Sequence, residues 1–342
     1  MTRLVLRRGT VVQAPPPAGA EQRLVVDVPG RGPRAAIGDV AMVGTASVDD
    51  DIVVNTQAAD LSLGSGGFDV VHVNLTRGLD GAGVAGAHVM KLNYASLQHA
   101  VLPVEGDELA VPLRKPVGVV SLHGQLPPLA WALHAARPDA RVGFVQTGGG
   151  ALPGGHSRAV ADLRARGLLA GFLTAGPAYG GEGEAISLPG AVHHGLHDRG
   201  WDAAVCGPGP GILGSGSALG HGGMAALDSA HGALALGCEV VLCARMSSGD
   251  PRPRHRGLSH HARIVLQLLL APVTVAVPAG HGGEVPAGRH EHTVVELTAD
   301  LDGYVASGLP ARTMGRSLQE DPLFFAAALA AGAALAEKIP AS

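Results

Sequence analysis

Over the first 75 residues, apolar positions come in short Val-rich runs: "RLVLRRGTVV", "QRLVVDV", "DDIVVNT" and "FDVVHVNL". Each is bounded by Gly, Pro or Asp, as short strands are, and no helical period intervenes. Residues 1–75 are therefore expected to form a small all-β, barrel-like domain without helix. Residues 76–116 read as a connector that begins "TRGLDGAGVAGAHVMKLNYASLQHAVLPVEGDEL". From Val117 the period changes. Continuous apolar runs ("VGVVSL", "RVGFVQT", "LAGFLTA", "DAAVCG", "EVVLCAR", "APVTVAV") alternate with amphipathic segments such as "PPLAWALHAARP" and "LSHHARIVLQLLL". That alternation is the pattern of a mostly parallel sheet covered on both faces. Residues 117–289 are thus expected to form a Rossmann-like α/β domain of about six strands. Residues 290–342 add a strand, "HTVVEL", and a helix opened by Asp321 and Pro322, packing on that domain.

In an open parallel sheet, ligands bind beyond the carboxyl ends of the strands. The segments that follow these strands are "SLHGQLPP", "QTGGGALPGGHS", "TAGPAYGGEGEA", "CGPGPGILGSGSALGHGG", "SSGDPRPRHRGLSHH" and "PAGHGGE". Five of the six are rich in glycine or in His and Arg, whereas the loops at the opposite edge are short and ordinary. His123, Thr147, Gly148, Gly149, Gly209, Gly211 and Gly214 fall at this edge, and His123, Thr147, Gly209 and Arg254 are expected to line one cleft.

Composition sharpens the reading of Ser247–His261. Only 16% of the chain is charged, yet these fifteen residues hold one aspartate, three arginines and three histidines. Guanidiniums and a helix N-terminus both favour anions, so a phosphate or carboxylate group is the expected guest, clamped by Arg252 and Arg254. Ser259 is expected to cap the following helix. Pro251 and Pro253 stiffen the backbone between the arginines. A metal set is an alternative: Asp250, His255 and His260 or His261, with His123 in reach, offer carboxylate and imidazole ligands at a spacing that matches no standard motif. The net charge of −4 and 3% aromatics argue against nucleic acid as a partner. The longest apolar stretches fall short of a bilayer, so no membrane partner is expected. Three cysteines make no disulfide framework. Without a signal-like N-terminus, a cytoplasmic location is the expectation.

Other motifs are weaker. Gly209–Gly214 reads G-x-G-x-x-G, but Pro210 interrupts it and no acidic residue closes the next strand, so a dinucleotide is not expected. "HHGLH" lacks the acid of a zinc-binding helix and falls towards the other edge of the sheet. "GHSRA" misses the nucleophile-elbow pattern.

The stretches "VVNTQAADLSLGSGGFDVVHVNL", "HVMKLNYASLQ", "SLHGQLP", "QTGGGALP", "GPGPGILGSGS", "GHGG", "DPRPRHRGLSHH" and "MGRSLQEDPLFF" together resemble the bacterial family called domain of unknown function 3866. The resemblance spans nearly the whole chain. It marks Asn55, Gly64, Gly66, Gly67, His88, Lys91, Tyr94, Gln98, His123, Thr147, Gly148, Gly149, Gly209, Asp250, Arg252, Arg254, His255, His260 and His261 as family-like. It implies no activity, substrate or cofactor. In "SLHGQ" the family pattern has a serine where this chain has Gly124. The leading functional expectation is an enzyme, or enzyme-like binder, of a small phosphorylated or carboxylated metabolite. In it His123, His255 and His260 serve in acid–base roles with Asp250, while Arg252, Arg254, His261 and the glycine loops hold the ligand. The alternatives are a metal-dependent hydrolase centred on Asp250 and its neighbouring histidines, and a non-catalytic metabolite sensor.

Overall fold

The structure is a computed structural model, and it describes residues 3–63 and 67–340. Two compact units divide the chain, residues 1–102 and 103–342. Gly64 and Gly66 lie outside the described residues.

The first unit is built on a closed five-stranded barrel. Its strands are β1 (Leu6–Gln13), β2 (Glu21–Val28), β3 (Gly32–Asp39), β4 (Asp51–Asn55) and β5 (Asp69–Asn74), paired in the order β1-β2-β3-β5-β4 and closed by β4 on β1. Every pairing is antiparallel except β3 with β5. Val11, Val26, Ile52 and Val54 fill the interior with no exposure, the inward half of each alternating run. The expectation of no helix here is corrected: two single turns, α1 (Val40–Val43) and α2 (Gln57–Asp60), lie between strands. The Asp39 carboxylate accepts from the Ala41 amide and starts the first of them. A short hairpin, β6 (Val89–Lys91) and β7 (His99–Val101), follows the barrel and holds the family-like His88, Lys91, Tyr94 and Gln98 in or beside it.

The second unit is an α/β layer structure. Its strands are β8 (Pro116–Val119), β9 (Val142–Thr147), β10 (Gly171–Ala175), β11 (Gly183–Ala185), β12 (Ala203–Pro208), β13 (Glu239–Cys243), β16 (Thr274–Pro278) and β17 (Thr293–Leu297). Between β13 and β16 lies a small ribbon of β14 (Met246–Ser247) and β15 (Gly257–Leu258). The large sheet runs β11-β10-β9-β12-β8-β13-β16-β17 and all its pairings are parallel. The six strands expected from Val117 and the tail strand expected at "HTVVEL", β17, are all present; the three-residue β11 is the addition, and it and β17 form the two edges.

Successive strand residues face opposite layers. Val117, Val119, Ala204, Cys206, Val240 and Leu242 pack with α5 (Leu188–His193), α6 (Ala225–Ala235) and α7 (His260–Leu268). Val120, Val205, Val241 and Cys243 pack with α3 (Leu126–Ala136), α4 (Arg158–Ala165) and α9 (Pro322–Glu337), near which lies the short α8 (Leu301–Ala306). Helix α9 is apolar on all sides, as befits a helix wedged between another helix and a sheet. A Cβ at Gly332 would run into the Leu129 carbonyl, so α3 crosses α9 at backbone contact. No helix among the described residues is long and apolar enough to cross a membrane.

Candidate functional site

The carboxyl ends of β8, β12 and β13 open into a cavity of about 650 Å³. Its walls come from the start of α3 (His123, Gly124), the loop after β12 (Pro210–Gly216), the segment after β13, and a hairpin of β18 (Arg312–Thr313) and β19 (Arg316–Ser317). Arg245, Arg252, Arg254 and Arg312 line it with His123, His255 and His261, and no carboxylate does among the described residues.

The charged loop is ordered by a buried ion cluster. Asp250 is fully buried and takes Arg252 as a fork, Nε to Oδ1 at 2.9 Å and a terminal nitrogen to Oδ2 at 2.8 Å. Arg316 stands 3.5 Å and Arg245 3.9 Å from the same Oδ2. Hydrogen bonds from Arg252 hold the Asp250 carboxyl far below the usual carboxylate range. Asp321, at the head of α9, caps no helical amide. Instead it accepts from the Ser247 hydroxyl at 2.7 Å, the Ser248 amide at 2.8 Å and Arg316 Nε at 3.0 Å. Arg252 is extended (φ −83°, ψ 117°) between its two prolines, as expected, and a single 3-10 turn covers Pro253–His255. Arg252 therefore reaches the cavity already paired. Arg254, exposed at the rim, makes no hydrogen bond or ion pair among the described residues.

Four imidazoles gather behind the arginines. Ser259 caps α7, as expected, accepting from the His261 amide, and its hydroxyl also meets His255 Nδ1 at 2.8 Å. The His255, His260 and His261 rings lie 4.3–4.9 Å apart between centroids, and His221 stacks on His261 at 3.6 Å. Arg245 donates to His261 Nδ1 at 2.7 Å. Both nitrogens of His260, and Nδ1 of His221, are buried without a hydrogen-bond partner; the Arg254 carbonyl approaches His260 but closes no bond. Burial, and then the charge of Arg245, push His255 down to about 3 and His261 further, so these rings are neutral at pH 7. One ring nitrogen from each of His255, His260 and His261 lies within 4.8 Å of the others, a spacing from which a metal could be held.

His123 is buried at the opposite wall, with both nitrogens engaged. Nδ1 faces the Pro208 carbonyl at 3.1 Å and must donate, so Nε2 accepts from the Ser157 hydroxyl at 2.6 Å. Burial pushes this ring down to about 4.

The glycine loops pack on one another. Gly149 (φ 100°) leaves a Cβ only 2.5 Å from the Gly222 carbonyl, and a Cβ at Gly209 would collide with the Ala151 carbonyl. Gly211 and Gly214 line the large cavity. Thr147, Gly148 and Gly149 line a second cavity of about 400 Å³ with His221 and the start of α6. The stacked His221 and His261 thus belong to one cavity each, and Gly209 lines neither.

Sequence reasoning missed Arg245, Arg316, Asp321 and His221. The first three stand singly at the ends of apolar or turn segments, where nothing local announces a charge cluster. The pairing of Ser157 with His123 was likewise hidden, since the two are 34 residues apart.

The family model for protein of unknown function (DUF3866) matches residues 35–332. The chain belongs to the DUF3866 family. That match takes in the barrel from β3 onward, the whole parallel sheet and every residue of the cavity wall named above. Comparison of this DUF3866 protein with curated proteins and with solved structures returned no match.

Proposed function

We propose that this protein binds a small phosphorylated or carboxylated molecule in the large cavity, and that it is an enzyme or enzyme-like binder acting there. The observation that carries the reading is the charge balance of the wall: among the described residues it has four arginines, no carboxylate, and one guanidinium, Arg254, without a partner. Arg254 is the primary clamp. Arg252 contributes its remaining donors, and Asp250 holds it in place. Of the imidazoles that line the cavity, His255 keeps a nitrogen, Nε2, that no group among the described residues engages, a proton acceptor beside the guest that an enzyme needs and a sensor does not. The buried, unpaired Cys206, Cys238 and Cys243 support a reducing compartment such as the cytoplasm.

The test is thermal unfolding with inorganic phosphate and with small phosphorylated or carboxylated metabolites. A ligand present at 100 times its Kd should add about 2.7 kcal/mol of stability. Arg254→Ala should weaken binding by about tenfold to a hundredfold, the cost of one charge-assisted contact, and should leave the unliganded protein as stable as before. If none of these anions changes the melting temperature of the wild type, the reading fails.

A further inference from the structure

Anion binding gives no account of His260. This ring sits between His255 and His261, with centroids 4.7 and 4.3 Å away, and neither of its buried nitrogens has a partner. His221 adds a third buried, unpartnered nitrogen beside His261. Buried polar atoms without partners are rare in folded proteins, and an ion is one of the few physical reasons for them. His255 is also prepared: its Nδ1 rests on the Ser259 hydroxyl at 2.8 Å, which leaves Nε2 free and fixes the ring, as outer hydrogen bonds do for metal-bound histidines.

We propose that His255, His260 and His261 form a binding site for a divalent first-row transition-metal cation, zinc foremost. The donor set is three imidazoles, which suits zinc, nickel, copper or cobalt rather than calcium or magnesium. Three protein ligands leave a position open, and His255 and His261 both line the cavity, so that position is accessible to a guest. Asp250 is outside the ligand set because its oxygens face three arginines. His123 is outside it because both its nitrogens are engaged. Arg245 opposes the metal: its bond to His261 Nδ1 must break, or the His261 proton must leave, before that ring coordinates. One such bond costs about tenfold to a hundredfold in affinity. The site stands on the imidazoles and not on the arginines, so it and the anion reading can fail separately.

The experiment uses the untagged full chain, stripped with a chelator and titrated with cobalt(II). Visible ligand-field absorption is followed, and bound zinc is measured by elemental analysis in parallel. The expected result is one equivalent per chain with cobalt bands of low coordination number. His260→Gln and His255→Gln should each weaken binding by about a hundredfold or more while circular dichroism stays that of the wild type. Arg254→Ala should still take up one equivalent of cobalt, no more weakly than the wild type since a nearby positive charge is removed, while its phosphate binding weakens about tenfold to a hundredfold. A wild-type chain that takes up neither metal overturns the proposal whatever the variants do. So does a chain whose uptake survives loss of His260. If phosphate still stabilises the metal-free protein, the anion reading stands without it.

Discussion

Replacing Asp250 with Asn keeps the shape of the side chain and removes one charge from a cluster that is already short of negative charge. Among the described residues, Arg245, Arg252 and Arg316 form ion pairs only with Asp250 and Asp321. After the change Asp321 is the remaining counter-charge among them. An amide nitrogen at the Oδ2 position would meet the donors of Arg252 at 2.8 Å, Arg316 at 3.5 Å and Arg245 at 3.9 Å, donor against donor. Arg245 is only 3% exposed, so water solvates little of its charge. Leaving a buried charge uncompensated costs about 3–5 kcal/mol. For a unit of this size each kcal/mol moves the melting temperature by roughly 2–4 °C, so a fall of about 6–20 °C is expected. Arg252→Ala should cost far less, about 1 kcal/mol or below, because that side chain is half exposed. The pH dependence has a definite sign. The folded-state pKa of Asp250 lies below its unfolded value, so its contribution is complete above about pH 4 and is lost as pH falls further. Wild type and variant should therefore converge in acid. Urea denaturation at pH 7 and pH 3 measures both effects. A variant within about 1 kcal/mol of wild type at pH 7, or an Arg252→Ala variant as costly as Asp250→Asn, would refute the view that the buried guanidiniums set the cost.

Further outcomes follow from the same geometry. His123 resists protonation down to about pH 4 against 6.5 in the unfolded chain, so its contribution is whole above pH 6.5 and declines as pH falls toward 4. Roughly 3 kcal/mol is at stake, and His123→Asn should flatten the acid limb of the stability curve; parallel curves for the two proteins would contradict this. Gly149→Ala places a Cβ at φ 100° and 2.5 Å from the Gly222 carbonyl, so it should destabilise by about 1–3 kcal/mol in denaturant, and a neutral result would mean the loops do not pack as described. Thiol reagents should label Cys206, Cys238 and Cys243 only after denaturation, since burial raises all three thiols, Cys238 to about 11; rapid labelling of the native chain would count against their burial.

The strands legible in the sequence are those whose pattern is their own. The apolar runs from Val117 to Val277 match buried parallel strands because both faces of that sheet are covered. β3 escaped because "GPRAAIGD" opens on Gly-Pro and is low in β-branched residues; its pairing with β2 over eight residues supplies what its sequence does not. β11 is three residues long and gains its place from Leu173–Ala175 beside it. At the site, Ser247–His261 was legible because its charge is concentrated. Its supports were not, because Arg245, Arg316 and Asp321 become a cluster only when β13, β19 and α9 meet. The motif "GHSRA" carried no hydrolase pattern, yet Ser157 meets His123 through the fold.

Asp321 gives the protein an order of events during its own synthesis. Ser247, Ser248 and Gly249 all bond to that carboxylate, which the ribosome adds 72–74 residues after them. Every strand of the parallel sheet has been made by then. The arginine loop therefore lacks its anchor until α9 begins, and the same helix both covers one face of the sheet and holds the loop. The anchor of the arginine loop thus arrives after every strand of the sheet, and a ribosome-stalled chain ending before residue 321 would carry those strands with the loop unanchored.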